Sequence, residues 1–466
     1  MNTPRRVADS MGEIEVAEGA LWGAQTQRAV AHFAIGGEPM PAELIRALAF
    51  LKGVCAVVNG RLGRLDPSLA QAIDQAAQEV GRGGHGAQFP LSLWQSGSGT
   101  QSHMNVNEVL ARLAELALNG PHAEQPGGSR SVHPNDDVNL GQSSNDMVPS
   151  AMHVAALTAL HGELLPALDA LAAALAEKAT LYAGLIKLGR THLQDAVPLT
   201  VGQEIGAWRS QLLLAAAAIK ATLPALQQLA VGGTAVGTGL NTHPDFGAAV
   251  CRELTARTGI AYAPAADRFA ALAGHEPLVA LHGALKVLAV ALMKMANDVR
   301  LLASGPRGGL AELLLPANEP GSSIMPGKVN PTQCEALAMV ACQVIGNDTA
   351  VTLGAAGGHL QLNTFKPLIA ANVLRSVRLL ADAISSFDRY CVRGLAADGQ
   401  RIGALLAGSL MLVTALTPHI GYDRAAQIAH RAHAERCTLR EAAIACGIDA
   451  ADFDRWADPA TMLEPR

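Results

Sequence analysis

A chain of 466 residues has room for two or three domains. It is 50% hydrophobic but only 3% aromatic, so Ala, Leu and Val must build the core, and Ala and Leu favour helices. A net charge of -5 and a pI near 6.3 leave no basic footprint, which argues against a general nucleic-acid or anionic-membrane binder.

Residues 1–141 read as a first, irregular domain. The start, Met1 to Ala20, carries Asp9, Glu13, Glu15 and Glu18 without an apolar core, so it does not read as a secretory signal. Helical stretches over 42–62 and 67–80 alternate with the Gly/Pro clusters Gly81–Gly86 and Pro126–Gly128. Residues 142–395 read as a second domain of long helices. Leu157, Leu160, Leu164, Leu168, Leu171 and Leu175 recur at steps of three and four, with Pro166 placed to bend the helix. Segments 202–230, 276–304, 332–353 and 366–391 repeat the pattern, and helices about 42 Å long side by side predict a bundle. Several are apolar nearly all round, which predicts burial against other subunits and hence a homo-oligomer. The uncharged run Leu212 to Ile219 is far too short to span a bilayer.

Residues 396–466 read as a small helical domain. Thr438 and Glu441 predict a capping box, and Asp423 predicts another cap. Residues 423–456 hold five Arg against six Asp/Glu, a net of -1, which argues against a DNA-binding helix-turn-helix. The seven cysteines are scattered, with no CxxC and no Cys/His spacing of a zinc site, which suggests reduced thiols and the cytosol.

Six polar runs stand out. Ser96–Asn105 offers hydroxyls on a Gly-rich backbone before a helix expected near Asn107; these are helix caps or ligand donors. His133-Pro134-Asn135-Asp136 reads as a turn or an anion contact rather than a metal site. Ser143-Ser144-Asn145-Asp146 precedes a long helix expected at 150, as a plain N-cap or a carboxylate site. Gly189–Ala196 places His192 beside Thr191 and near Asp195, suited to proton transfer or to a structural role. Gly232–Asn241 fails the dinucleotide fingerprint, because no third Gly follows Gly237 and Gly239 at the required spacing. The densest is Gly321–Pro331, where Ser322, Ser323, Lys328 and Asn330 share a loop bent at Gly321 and Gly327 and stiffened by Pro326 and Pro331. Such a loop suits a small anion, and its glycines predict mobility.

Together these runs, with Trp22–Arg28, resemble the fumarase/aspartase superfamily over essentially the whole chain. Gly327 and the continuation Thr332-Gln333-Cys334-Glu335-Ala336 look most like its class II fumarate hydratases. The resemblance implies a mainly α, three-domain fold whose long central helical bundle forms a tetramer core. It implies reversible hydration of fumarate to L-malate, without metal or cofactor, in the cytoplasm, at sites shared between three subunits. Ser322 then matches the base, His192 the catalytic histidine and Glu335 its orienting carboxylate. Ser98, Gly99, Thr100, Ser143, Ser144, Asn145, Thr191, Ser323, Lys328, Val329 and Asn330 match substrate-binding positions. Arg130, His133, Pro134, Asn135 and Asp136 match a second anion site. His103 stands where that pattern commonly has Asn, which predicts a modest change in pH profile and substrate affinity. The rivals are an aspartate ammonia-lyase of the same superfamily and a non-catalytic structural oligomer.

Overall fold

The computed structural model describes residues 5–120 and 131–465. Among them are seventeen α-helices and eight short strands, and the strands pair two by two rather than forming a larger sheet. The fold is mainly α, as the composition predicts. The Pro126–Gly128 cluster and Arg130 lie outside the described residues.

The chain divides into two compact units. The first is Met1–Leu165, Ala217–Val287 and Cys342–Leu380; the second is Pro166–Ala216, Leu288–Ala341 and Ala381–Arg466. The divisions fall inside the long helical stretches Ser144–Leu181, Val201–Leu226, Glu276–Leu302, Thr332–Ala356 and Lys366–Phe387. By length and composition alone, Ser144–Leu181, Glu276–Leu302 and Thr332–Ala356 could cross a membrane.

In the first unit, helix Ala42–Arg61 buries Leu48, Leu51 and Val54 against Ile73, Ala76 and Ala77 of helix Pro67–Gly81. Their crossing is close because residue 53 is glycine: a Cβ there would meet the Asp74 carboxylate at 2.6 Å and the Ala77 methyl at 2.8 Å. Glu108 caps the helix Ala24–His32 across a gap of over eighty residues, accepting from the N–H groups of Gly23, Gln25 and Thr26. Polar bonds also join the long helices here. His282 Nε2 lies 2.9 Å from Ser376 Oγ, its Nδ1 lies 3.2 Å from Asp348, and Asn347 donates to the same serine at 3.0 Å.

In the second unit, Trp208 Nε1 donates to Asp298 at 2.8 Å and Ser386 Oγ donates to Gln333 at 2.7 Å. The C-terminal helices close on Leu416, Ile428, Ala442 and Phe453. Thr438 and Glu441 form the expected capping box.

Several boundaries differ from the sequence reading, each for a local reason. The helix expected near Asn107 begins at Thr100, because Gly99 takes a left-handed N-cap (φ 75°) and the polar first turn hides the apolar period. The helix expected at 150 begins at Ser144. Asp423 is not a cap: Gly421, at φ 80°, holds that place and Asp423 lies in the first turn. Ahead of Pro166 the helix widens into a π turn, Leu160–Leu164, which accommodates the missing N–H before Leu165–Leu181. The segment 202–230 stops at Leu226 because Gln228–Leu229 pairs with Ala263–Pro264. The segment 366–391 leaves the α form at Phe387 and ends in a π turn, Asp388–Val392.

Burial holds four histidines of the first unit below their ordinary range: His153 at about 4, His103 and His275 well below it, and His282 lowered. Their folded-state values lie under the unfolded ones, so on acidification the unfolded chain takes protons first. The stability gained from neutral burial is whole above about pH 6.5 and is lost as the pH falls toward 4. Asp146, raised to about 6 by burial, works in the opposite sense but is one group. The thermal unfolding midpoint should therefore drop by about 5 °C or more between pH 7 and pH 5. A midpoint that does not move over that interval contradicts the assignment.

Candidate active site

The sequence-predicted residues fall into two sets. The first unit holds Ser98, Gly99, Thr100, Ser143, Ser144 and Asn145, together with the turn at His133. The second holds Thr191, His192, the loop 321–331 and Glu335.

In the first unit a turn and two helix starts meet. The segment Ser96–Gly99 leads into helix Thr100–Asn119, and Ser143 caps helix Ser144–Ala159. Their hydroxyls form a continuous run: Ser96 to Ser98 at 3.2 Å, Ser98 to Thr100 at 2.7 Å, Thr100 to Ser144 at 2.8 Å. Gly97 fixes the turn from behind. Its carbonyl accepts from Lys366 N at 2.9 Å, and a Cβ at this position would overlap the Thr364 carbonyl oxygen. Asp146 fixes the other side. Its carboxylate accepts from the N–H of Ser143 in a capping box, and from those of Gly232 and Thr234, each at 3.0 Å. Asn145 Nδ2 donates to Ala235 O at 2.8 Å. The Gly232–Asn241 run, which lacks the dinucleotide fingerprint, thus serves as the support for this helix start. The Ser-x-x-Asp spacing of a capping box was the available signal for Asp146; nothing local in the sequence pointed to Thr364 or Lys366.

The turn Pro134–Val138 is capped by its own histidine. His133 Nδ1 accepts from Asn135 N at 3.3 Å and Asp136 N at 3.1 Å, and its backbone N–H donates to Asp137. Three of the predicted second-site residues are therefore bound to one another, while Arg130 lies outside the described residues.

In the second unit, Ile186–Thr191 and Gln194–Thr200 pair as an antiparallel hairpin. Its two turn residues are His192 and Leu193, at φ 55° and 60°. Such turns ordinarily use Asn-Gly, which is why the sequence reading missed the hairpin. Non-glycine residues at positive φ are uncommon, and here the strain presents the imidazole to solvent. The hairpin stands on a buried ion cluster. Glu312, 1% exposed, lies 2.8 Å from Lys187 Nζ and 2.7 Å from Arg190 Nη2, as close ion pairs whose angles fall short of good hydrogen bonds. Lys187 also donates to Glu204 at 2.7 Å.

The loop closes on itself. Gly321 N donates to Lys328 O at 3.0 Å, and Asn330 Nδ2 donates to Gly321 O. Gly327 takes φ 81° at its bend. Ser322 Oγ accepts from Met325 N at 3.0 Å and Ile324 N at 3.3 Å. Ser323, Lys328, Val329 and Glu335 are exposed. Within one chain no hydrogen bond or ion pair of the described residues joins the side chains of His192, Glu335 and Ser322. Among the described residues no group of three or more His, Cys, Asp or Glu is placed to hold a metal ion.

Chemically, the first set offers neutral donors suited to carboxylate oxygens. The second offers an imidazole, an ammonium, a carboxylate and a serine oxygen already facing two N–H groups. Such a combination is that of an acid/base lyase. The family model described as "Lyase" matches residues 12–346, and the one described as "Fumarase C C-terminus" matches 412–464. The chain is 61% identical over 462 residues to a class II fumarate hydratase of Chromobacterium violaceum, covering 99% of each. It is 58% identical over 461 residues to class II fumarate hydratase 1 of Pseudomonas aeruginosa, covering 99% of this chain and 98% of that one. A crystal structure of class II fumarase from Schistosoma mansoni superposes with a TM-score of 0.96 at 45% identity, covering all of both chains. The chain belongs to the lyase family and, within it, to the class II fumarate hydratases.

Removing the buried carboxylate under the hairpin tests the support of His192. Glu312→Ala strands Arg190 and leaves Lys187 with Glu204 alone, and should cost about 3–5 kcal/mol of stability. A chemical-unfolding curve indistinguishable from that of the parent chain contradicts this role.

Proposed function

We propose that the chain catalyses the reversible, stereospecific hydration of fumarate to L-malate, a step of the tricarboxylic acid cycle. Its full-length similarity to class II fumarate hydratases, at up to 61% identity, carries the reading. Malate must lose a proton from C3 and hydroxide from C2 on opposite faces. The C3 proton is weakly acidic, so the enzyme has to stabilise a dianionic aci-carboxylate with fixed donors. Ser322 is assigned as the base. A neutral serine is a poor one, and the two N–H groups of Ile324 and Met325 aimed at its oxygen favour the alkoxide. Lys328 and Asn330 hold the developing charge, with Gly327 shaping the bend. His192 protonates the departing hydroxide, and Glu335 orients it. Ser98, Gly99, Thr100, Ser143, Ser144, Asn145, Thr191, Ser323 and Val329 hold the substrate carboxylates, and the turn at His133 forms a second anion site.

The assembly assigned here is a cytoplasmic homotetramer in which three subunits contribute to each site. Two observations support it. Among the described residues no bond joins His192, Glu335 and Ser322 within one chain, which is consistent with separate copies supplying them. The long helices also leave Leu214, Val290, Met339 and Leu353 more than half exposed, an apolar cost that neighbouring copies would remove.

Absorbance at the fumarate band should rise when the chain is given L-malate and stay flat with aspartate; a rise with aspartate alone would make it an ammonia-lyase. Ser322→Ala and His192→Asn should each lower turnover by about 10²–10⁴ or more. Turnover near that of the parent in either variant removes the assigned role.

A further inference from the structure

Under the hydroxyl run of the first unit lies a buried amine that the reaction scheme does not use. Lys52, midway along helix Ala42–Arg61, is fully buried. Its Nζ lies 2.7 Å from His103 Nε2 and 2.6 Å from Asn139 Oδ1. His103 is three residues beyond Thr100, about 4.5 Å along the helix axis. Asn139 stands just ahead of Ser143, and its Nδ2 donates to Gln142 O at 3.2 Å. One nitrogen therefore joins both segments that carry the substrate donors.

Among the described residues no carboxylate is bonded to this nitrogen. The titratable groups facing it are Cys55 on its own helix, His103, and Asp146 at the start of helix Ser144–Ala159. Asp146 is occupied by three backbone N–H groups. Cys251, from helix Phe246–Thr258, faces Cys55. The nearby charges of the other packed helices are paired among themselves: Arg257 with Asp74 and Glu253, and Arg61 with Glu253.

The ring nitrogens decide which protonation state fits. An ammonium at Lys52 donates to a bare His103 Nε2, which puts the ring proton on Nδ1. His103 Nδ1 is buried without a partner, so that state strands an N–H beside an unpaired cation. A neutral amine instead accepts the Nε2–H of His103 and donates to Asn139, stranding only a ring lone pair. Burial thus favours the neutral amine. It brings Lys52 down to about 7 and His103 well below its ordinary range.

We propose that Lys52 is a proton-accepting positioning residue: neutral in the free enzyme, it takes one proton from solvent when a dicarboxylate dianion binds at Ser98, Thr100, Ser144 and Asn145, and the resulting ammonium balances the ligand's charge from beneath. The inference rests on the dicarboxylate reading of this site. A dianion about 10 Å away, at an effective dielectric near 20, raises an amine's pKa by about two units. Binding and protonation are then linked, so affinity rises as the pH falls from about 9 to about 7, by up to about tenfold per unit.

The test is calorimetric titration of the assembled enzyme with succinate, a dianion that cannot be hydrated, at pH 8 in Hepes and in Tris. The difference in heat between the buffers counts the protons taken up. The intact chain should take up about half to one proton per site. Lys52→Met should abolish the uptake. His103→Asn should cut it several-fold, because the amide oxygen accepts directly from an ammonium and leaves Lys52 already charged. His192→Asn, which removes the imidazole assigned to the reaction, should leave it in place. If Lys52→Met does not assemble, His103→Asn decides. Equal uptake by the intact chain and His103→Asn overturns the inference while leaving the dicarboxylate reading intact. No succinate binding, with no conversion of malate, overturns that reading and this inference with it.

Discussion

A carboxylate removed from water has to find donors, and Asp146 finds three. Two are far along the chain, at Gly232 and Thr234; the third is at Ser143. These bonds oppose the cost of burial, which still lifts the carboxyl to about 6. They also fix the start of helix Ser144–Ala159 against the 232–235 segment, and so fix Ser144 in line with Thr100 and Ser98. The second unit repeats the device with Glu312, whose two cations carry the hairpin that ends in His192. In both units a buried charge holds a less buried functional group in place. Small polar side chains at the ends of helices can then act as rigid donors, with little reorganisation needed when a ligand arrives.

The same contrast explains what the sequence disclosed. A helix such as Glu276–Leu302 was legible because its apolar period runs uninterrupted from Leu278 to Leu302. The start at Thr100 was not, since its first turn is polar and its cap is a glycine. The His192 hairpin was hidden by a turn that uses two residues with side chains at positive φ. For the candidate site, the family resemblance pointed to the groups proposed to face a ligand, from Ser98 to Glu335. The groups behind them stayed invisible. Lys52 reads as an ordinary lysine in a helix, and Glu312 as an ordinary loop acid. Their roles depend on contacts with His103, Asn139, Lys187 and Arg190, and only the packed chain brings these together.

One consequence reaches beyond the single chain. Ser322 and His192 both belong to the second unit, yet no bond brings them together there. A reaction that removes a proton and a hydroxide from neighbouring carbons requires both groups at one ligand. In the proposed assembly they come from different copies, which would also cover the exposed faces of the long helices.

Mixing two inactive variants tests that claim directly. Chains carrying Ser322→Ala and chains carrying His192→Asn can be dissociated, combined in equal amounts and reassembled. If each site takes its serine and its histidine from different copies, random assembly restores on the order of a quarter of the parent malate-to-fumarate activity. Activity no greater than the average of the two variants, in oligomers shown to contain both chains, would contradict the account.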